Sequence, residues 1–265
     1  MEISEHLDAL RQHGGLLADA AGRAGLNAPV PSCPSWLVKD LLRHTGYVHR
    51  WAARHIAERS PVVIDGPSEE EILRGGAGDA DLLGWFRAGL AALAETLTEA
   101  DPALQCATFM PAPSAVAFWA RRQAHETAIH LADALGADAL SADAERAAGA
   151  VPEYPPGFAA DGIDELIMGF GQRRKYRPAA SAAPDAGLQV LTTDTGDAWH
   201  LDVAGGHVQA HRGPGPGDCV VSGPASGVYL FLWNRAAPGP GSGVTVSGSP
   251  GLLAAWQSSV RVRWG

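Results

Sequence analysis

Prolines at 152, 155 and 156, in the stretch Val151-Pro152-Glu153-Tyr154-Pro155-Pro156, divide the chain into two differently patterned parts. A proline has no backbone N–H and its ring clashes with the preceding helical turn, so no helix crosses this stretch. Before it, the chain is rich in Ala, Leu, Arg and Glu, with apolar side chains returning every three or four positions. That is the period of a helix with one buried face. From about residue 185 the chain is rich in Gly, Val and Thr in short alternating runs, the period of strands. A length of 265 residues also exceeds what one small core usually organises. The expectation is an α+β protein of two domains, residues 1–150 and 151–265, the helical one first.

Four amphipathic helices are readable in the first domain. The first carries Ile3, Leu7, Leu10, Leu17 and Ala21. The second starts after Pro34, with Ser35 as its N-cap, and runs to about Ser60 with Leu37, Leu41, Val48 and Ala52 on its stripe. The third holds Leu82, Leu83, Phe86, Leu90, Leu93 and Leu97 and ends at Asp101-Pro102. The fourth spans about Ser114 to Leu135 and stops at Gly136. Such a set predicts a four-helix bundle. The long connection between the second and third helices, through Pro61 and Gly75-Gly76, reads as a crossover or a flap. In the second domain a helix over about Gly157–Arg173 precedes strands at Leu188–Thr193, Ala198–Val203, His207–His211 and Cys219–Ser222. A helix at Ala225–Arg235, a strand at Val244–Ser247 and a helix at Leu252–Gln257 complete a small α+β domain.

The net charge of −9 repels a phosphate backbone, and no Lys/Arg cluster is dense enough to reverse that, so nucleic acid is not an expected partner. No run of about 18 apolar residues occurs that would span a bilayer. The acidic, amphipathic start Met1-Glu2-Ile3-Ser4-Glu5-His6 lacks the basic beginning and apolar core of a signal peptide. The expectation is a cytoplasmic protein with no membrane partner. Cys33, Cys106 and Cys219 lie far apart without a CxxC pair, which fits neither a disulfide framework nor a cysteine zinc site.

The stretch Arg121-Arg122-Gln123-Ala124-His125-Glu126-Thr127-Ala128-Ile129-His130 carries the most chemistry. Glu126 and His130, four apart, share a helical face. A carboxylate and an imidazole so placed reach one metal ion, and zinc takes both. The same spacing also suits a solvated pair worth a few tenths of a kcal/mol, about 0.2–0.5. His125 and His130, five apart, project about 140° from each other and are poor joint ligands. A third ligand should come from a facing helix, where the second helix offers His44, His49 and His55. His44 flanks the apolar stripe near the middle of its helix, while His49 and His55 lie further toward its solvent end, so His44 is the choice.

These blocks resemble the maleylpyruvate isomerase family of mycothiol-dependent enzymes. The likeness runs through Cys33-Pro34-Ser35-Trp36, Leu41-Leu42-Arg43-His44, the Glu126/His130 stretch and Ala160-Asp161-Gly162-Ile163-Asp164-Glu165. It continues through Thr193-Asp194-Thr195-Gly196, the Trp199 strand, and Gly223-Pro224-Ala225 leading into Tyr229-Leu230-Phe231-Leu232-Trp233-Asn234-Arg235. The resemblance implies an N-terminal metal-binding bundle of the DinB-like type and a C-terminal α/β domain resembling the sterol-carrier-protein-like fold. It implies a metal, zinc by preference, held by His44, Glu126 and His130 with one open position. The chain departs from the pattern at Leu37, where relatives often carry a Thr able to cap the helix.

The implied chemistry uses mycothiol as thiol cofactor or co-substrate. A thiol bound to a divalent metal loses its proton near neutral pH, and the thiolate attacks an electrophilic carbon of a small, acidic substrate. Elimination after bond rotation gives a cis–trans isomerase, whereas retention of the thiol gives an S-transferase. Arg235, an interdomain arginine by resemblance, is the candidate fork for a substrate carboxylate, with Arg121 and Arg122 as rivals. A surface Arg at a helix end is an equal reading of Arg235. His125 is a candidate acid/base or a helix-surface histidine; Asp161 and Asp164 are candidates to orient ligand imidazoles, or Asp161 to cap its helix. Arg173-Arg174-Lys175 is either a contact for an acidic thiol or a solvated helix end. The rival functions are a metal-dependent hydrolase on the same bundle and a non-catalytic small-molecule binding protein.

Overall fold

The computed structural model describes residues 1–141, 151–171, 185–204, 207–249 and 251–254. Two compact units emerge, Met1–Pro152 and Glu153–Arg263.

The first unit contains α1 (Ile3–Ala24), α2 (Val38–Ala57), α3 (Glu69–Arg74), α4 (Leu82–Glu99) and α5 (Ala115–Ser141). α1 packs on α4 and α5, and α2 packs on the same two helices, which gives a four-helix bundle with α3 as an addition. Its core is the apolar stripes themselves: Leu10 and Leu17 of α1, Leu41, Leu42 and Ala52 of α2, Phe86 and Leu93 of α4, and Trp119 of α5 are all buried. Close packing of α2 on α4 needs a missing side chain at Gly46, where a Cβ would lie 2.3 Å from the Trp85 ring. Arg50 stacks on that indole, its guanidinium carbon 3.8 Å from the ring centroid.

Two boundaries and one connection in this unit differ from the sequence expectation. α2 begins at Val38, and Leu37 rather than Ser35 is its N-cap residue. Leucine offers no acceptor, so Asp40 takes over: its Oδ2 accepts from the Leu37 N–H at 2.9 Å. Ser35 instead lies in a turn closed by the Trp36 N–H donating to the Cys33 carbonyl at 2.8 Å. α5 runs through Gly136 to Ser141, because Ala137 is buried and Asp138 accepts from Arg23 Nε at 2.7 Å. The connection from α2 to α4 has structure of its own, α3 followed by a 3-10 turn at Asp79–Asp81. Ile64 fastens it to the end of α2, its carbonyl accepting from Trp51 Nε1 at 2.8 Å and its N–H donating to His55 Nε2 at 2.9 Å.

The second unit begins with α6 (Pro156–Asp164), continued by a π-helical turn at Glu165–Phe170. A five-stranded mixed sheet follows in the order β3-β2-β1-β4-β5. Its strands are β1 (Asp185–Thr192), β2 (Ala198–Ala204), β3 (His207–Arg212), β4 (Cys219–Gly223) and β5 (Thr245–Gly248). β1 and β4 are parallel, with Leu188 opposite Cys219, and the other pairings are antiparallel. Between β4 and β5 lies α7 (Ala225–Leu232), which packs on α6. It ends at Leu232 rather than at Arg235, since Asn234 turns to a φ of 61° and the Arg235 N–H folds back to the Leu230 carbonyl at 2.7 Å. Arg173-Arg174-Lys175 and the later part of the expected Leu252–Gln257 helix lie outside the described residues.

Candidate metal centre

Two helices of the first unit supply the centre: α2 carries His44 two turns from its start, and α5 carries Glu126 and His130. Because the two α5 residues are four apart, they stack on one face, and that face meets His44. One donor atom from each of the three lies within 4.8 Å of those of the others. Glu126 Oε1 is the meeting point, 3.4 Å from His44 Nε2 and 3.2 Å from His130 Nε2. The side chains are 1%, 5% and 9% exposed for His44, Glu126 and His130, so solvent screens them little.

The remaining polar atoms of the α5 pair are committed. Arg122, one turn before Glu126, donates from Nη2 to its Oε2 at 2.8 Å. Asp133 accepts at Oδ2 from His130 Nδ1 at 2.8 Å, and the hydroxyl of Ser32 donates to the other Asp133 oxygen. Two jobs are thereby separated: Oε2 and Nδ1 are held from behind, while Oε1 and Nε2 face the centre. Burial opposes the charged form of Glu126, yet hydrogen bonds from His130 and His44 and the charge of Arg122 hold its carboxyl well below the usual range. Burial alone would lower His130, but its bonds to Asp133 and Glu126 prevail and raise it to about 9. His44 is lowered, burial outweighing the pull of Glu126.

This donor set fits a divalent metal. Two imidazoles and one carboxylate with a fourth position left open form the pattern of catalytic zinc sites, and a carboxylate behind a ligating histidine is the usual support. The structure thus brings together the three residues expected from sequence. It also adds Asp133, whose i+3 spacing from His130 was the available signal.

Arg122 is not a carboxylate fork for substrate: it is 1% exposed and paired with Glu126. Arg121 is half-buried. His49 and His55 do not lie toward solvent, since both are fully buried. His49 Nε2 is hydrogen-bonded to Thr127 Oγ1 at 2.9 Å, and His55 Nδ1 donates to the Trp51 carbonyl at 2.8 Å. His125 is no helix-surface residue either; it is fully buried, its ring 6.0 Å from that of His6. Asp161 lies mid-helix in α6 and does not cap it. Asp164 is occupied within the second unit, accepting from Trp199 Nε1 at 3.0 Å and from Arg212 Nε and Nη2 at 2.6 and 2.8 Å. Arg235, half-buried just past α7, donates from Nη1 to the Trp233 carbonyl at 2.8 Å.

No curated protein sequence matches the chain. The family model of the mycothiol maleylpyruvate isomerase N-terminal domain matches residues 7–135, and that of the MDMPI C-terminal domain matches residues 157–255. Among solved structures, the chain is similar to a mycothiol-dependent maleylpyruvate isomerase, with 17% identity over 93% of each chain and a TM-score of 0.63. It is similar too to a point mutant of such an enzyme, with 15% identity over 93% of each chain and a TM-score of 0.64. At these identities the likeness establishes the two-domain α+β fold.

Proposed function

The chain belongs to the mycothiol-dependent maleylpyruvate isomerase family, and from that premise we propose that it is a metal-dependent enzyme using mycothiol to attack a small acidic electrophile, with cis–trans isomerisation of a maleylpyruvate-like acid as the reaction. The observation that carries the metal in this reading is the convergence of His44, Glu126 and His130 in a buried cluster. A divalent cation there, zinc by the donor set, supplies the Lewis acidity that lets a thiol ionise near neutral pH.

The chain's own residues do the rest. Asp133 fixes the ring of His130 so that Nε2 faces the centre. Arg122 balances the buried charge of Glu126 and stops its rotation. The buried walls exclude water, which strengthens each of these interactions. Arg235 is the proposed partner of the substrate carboxylate, a role suited to a guanidinium fork. A reduced thiol cofactor suits a cytoplasmic location, and among the described residues no helix is long and apolar enough to cross a membrane.

Metal analysis of the native protein, followed by assays on maleylpyruvate and a panel of electrophiles with and without mycothiol, tests the proposal. The expected result is bound zinc or a similar ion, turnover that requires the thiol, and loss of metal uptake in His44→Ala. Unchanged metal uptake in His44→Ala would defeat the ligand assignment. Turnover without thiol would transfer the site to metal-dependent hydrolysis, and a stable thiol conjugate as product would make the enzyme an S-transferase.

A further inference from the structure

Trp36 lies outside the ligand set, yet its indole touches both halves of it. The ring centroid is 4.9 Å from that of His44, tilted by 47°, and 6.2 Å from that of His130, stacked at 29°. The two imidazoles are themselves 5.1 Å apart and edge-to-face. One aromatic plane therefore bears on ligands from two different helices.

The indole is fixed from two directions. Its backbone is held by the Trp36 N–H to Cys33 carbonyl bond at 2.8 Å and by the Val30 N–H donating to the Trp36 carbonyl at 3.0 Å. Its Nε1 donates to Glu69 Oε1 at 3.2 Å. The neighbouring acids of α3 serve that helix: Glu71 closes the capping box with Ser68, and Glu70 pairs with Arg74. Glu69 instead reaches out of α3 to the indole. The helix that carries it is anchored by the buried Ile72.

We propose that Trp36 is a positioning residue of the metal centre, clamping the imidazoles of His44 and His130 in their ligating orientation, and that Glu69 fixes the angle of the clamp. This rests on the metal reading above. An aromatic contact resists ring rotation through its preferred offset or edge geometry, and loss of a group that orients a ligand from behind typically costs about 10- to 100-fold in metal affinity. The α2–α4 connection thus becomes part of the centre through a single hydrogen bond.

The test is zinc affinity by competition with a chromophoric chelator, together with the visible spectrum of the cobalt-substituted protein, which reports ligand geometry independently of turnover. Trp36→Ala is expected to weaken zinc binding about tenfold and to change the cobalt spectrum. Trp36→Phe, which restores a ring, is expected to recover most of the affinity, to within about threefold of the parent. Glu69→Ala, an exposed position, is expected to cost about two- to threefold and carries the test should Trp36→Ala not fold. Affinity and cobalt spectrum unchanged in Trp36→Ala, or affinity unchanged in Glu69→Ala where the former does not fold, would overturn the proposal. Parent protein that takes up no zinc defeats the metal reading and this inference with it; parent protein whose zinc binding ignores Trp36 defeats this inference only.

Discussion

Asp133 takes one imidazole nitrogen of His130 at 2.8 Å and leaves the other facing Glu126 at 3.2 Å. That division follows from helical spacing: positions 126, 130 and 133 lie on one face of α5, so the histidine sits between two carboxylates. One serves the centre and the other supports the ring. Ser32, from the segment before α2, keeps Asp133 from turning toward the centre itself. Asp133→Asn retains the shape and removes the charge, so it separates support from packing. It is expected to weaken zinc affinity about 10- to 100-fold, measured by chelator competition, while the helical circular dichroism stays at the parent level. Zinc affinity equal to the parent's would mean that the charge behind His130 does not support the centre.

At the scale of elements, α2 packs on both α4 and α5, and its close approach to α4 depends on one glycine. Gly46, two residues beyond His44, lets the Trp85 indole lie against the α2 backbone. The indole cannot withdraw freely, because Arg50 stacks on it and bonds both the Gly46 carbonyl at 2.9 Å and the Trp85 carbonyl at 2.7 Å. Gly46→Ala gains helix propensity but overpacks this contact, and the net expectation is a loss of about 1–3 kcal/mol in urea denaturation. Stability equal to the parent would show that Trp85 moves aside at no cost. The same elements explain what could be read in advance. α1 and α4 have one buried and one exposed face, and α2 one buried and one half-buried face, so their apolar stripes are legible as helices. From Arg122 to Ala134 every residue of α5 is buried, and a helix buried all round loses the contrast that identifies its inward face. Hence the sequence leaves His125 between an acid/base and a helix-surface reading, and offers Arg122 as a rival ligand for substrate. α3 is not legible in the sequence, because only Ile72 of its six residues is buried. His44 was a choice among three histidines of one helix until the family resemblance singled it out, since spacing alone does not say which of them meets α5.

At the scale of the whole molecule, the buried histidines tie the fold to pH. His13 is 5% exposed and His49 fully buried. Burial, and then the charge of His125, lowers His13 from 6.5 to about 4. Burial lowers His49 from 6.5 to about 3, against the attraction of Glu126 and with help from Arg50, His130 and His44. Both imidazoles are therefore neutral in the fold at pH 7 and acquire protons more readily when the chain unfolds. Above the unfolded value of about 6.5 neither state binds the proton and the full stability is present. As pH falls below it, the unfolded chain takes up protons that the fold refuses, and stability drops until the folded values near 4 and 3 are passed. Each group contributes at most about 1.4 kcal/mol per pH unit to that slope. Urea denaturation of chelator-treated protein at pH 7, 6 and 5 removes any contribution from bound metal and is expected to show progressively lower midpoints. His13→Gln keeps a polar side chain and removes one titrating group, so its decline between pH 6 and 5 should be shallower by up to about 1.4 kcal/mol per unit. Equal slopes in parent and variant would mean that His13 takes its proton in the folded chain as readily as in the unfolded one.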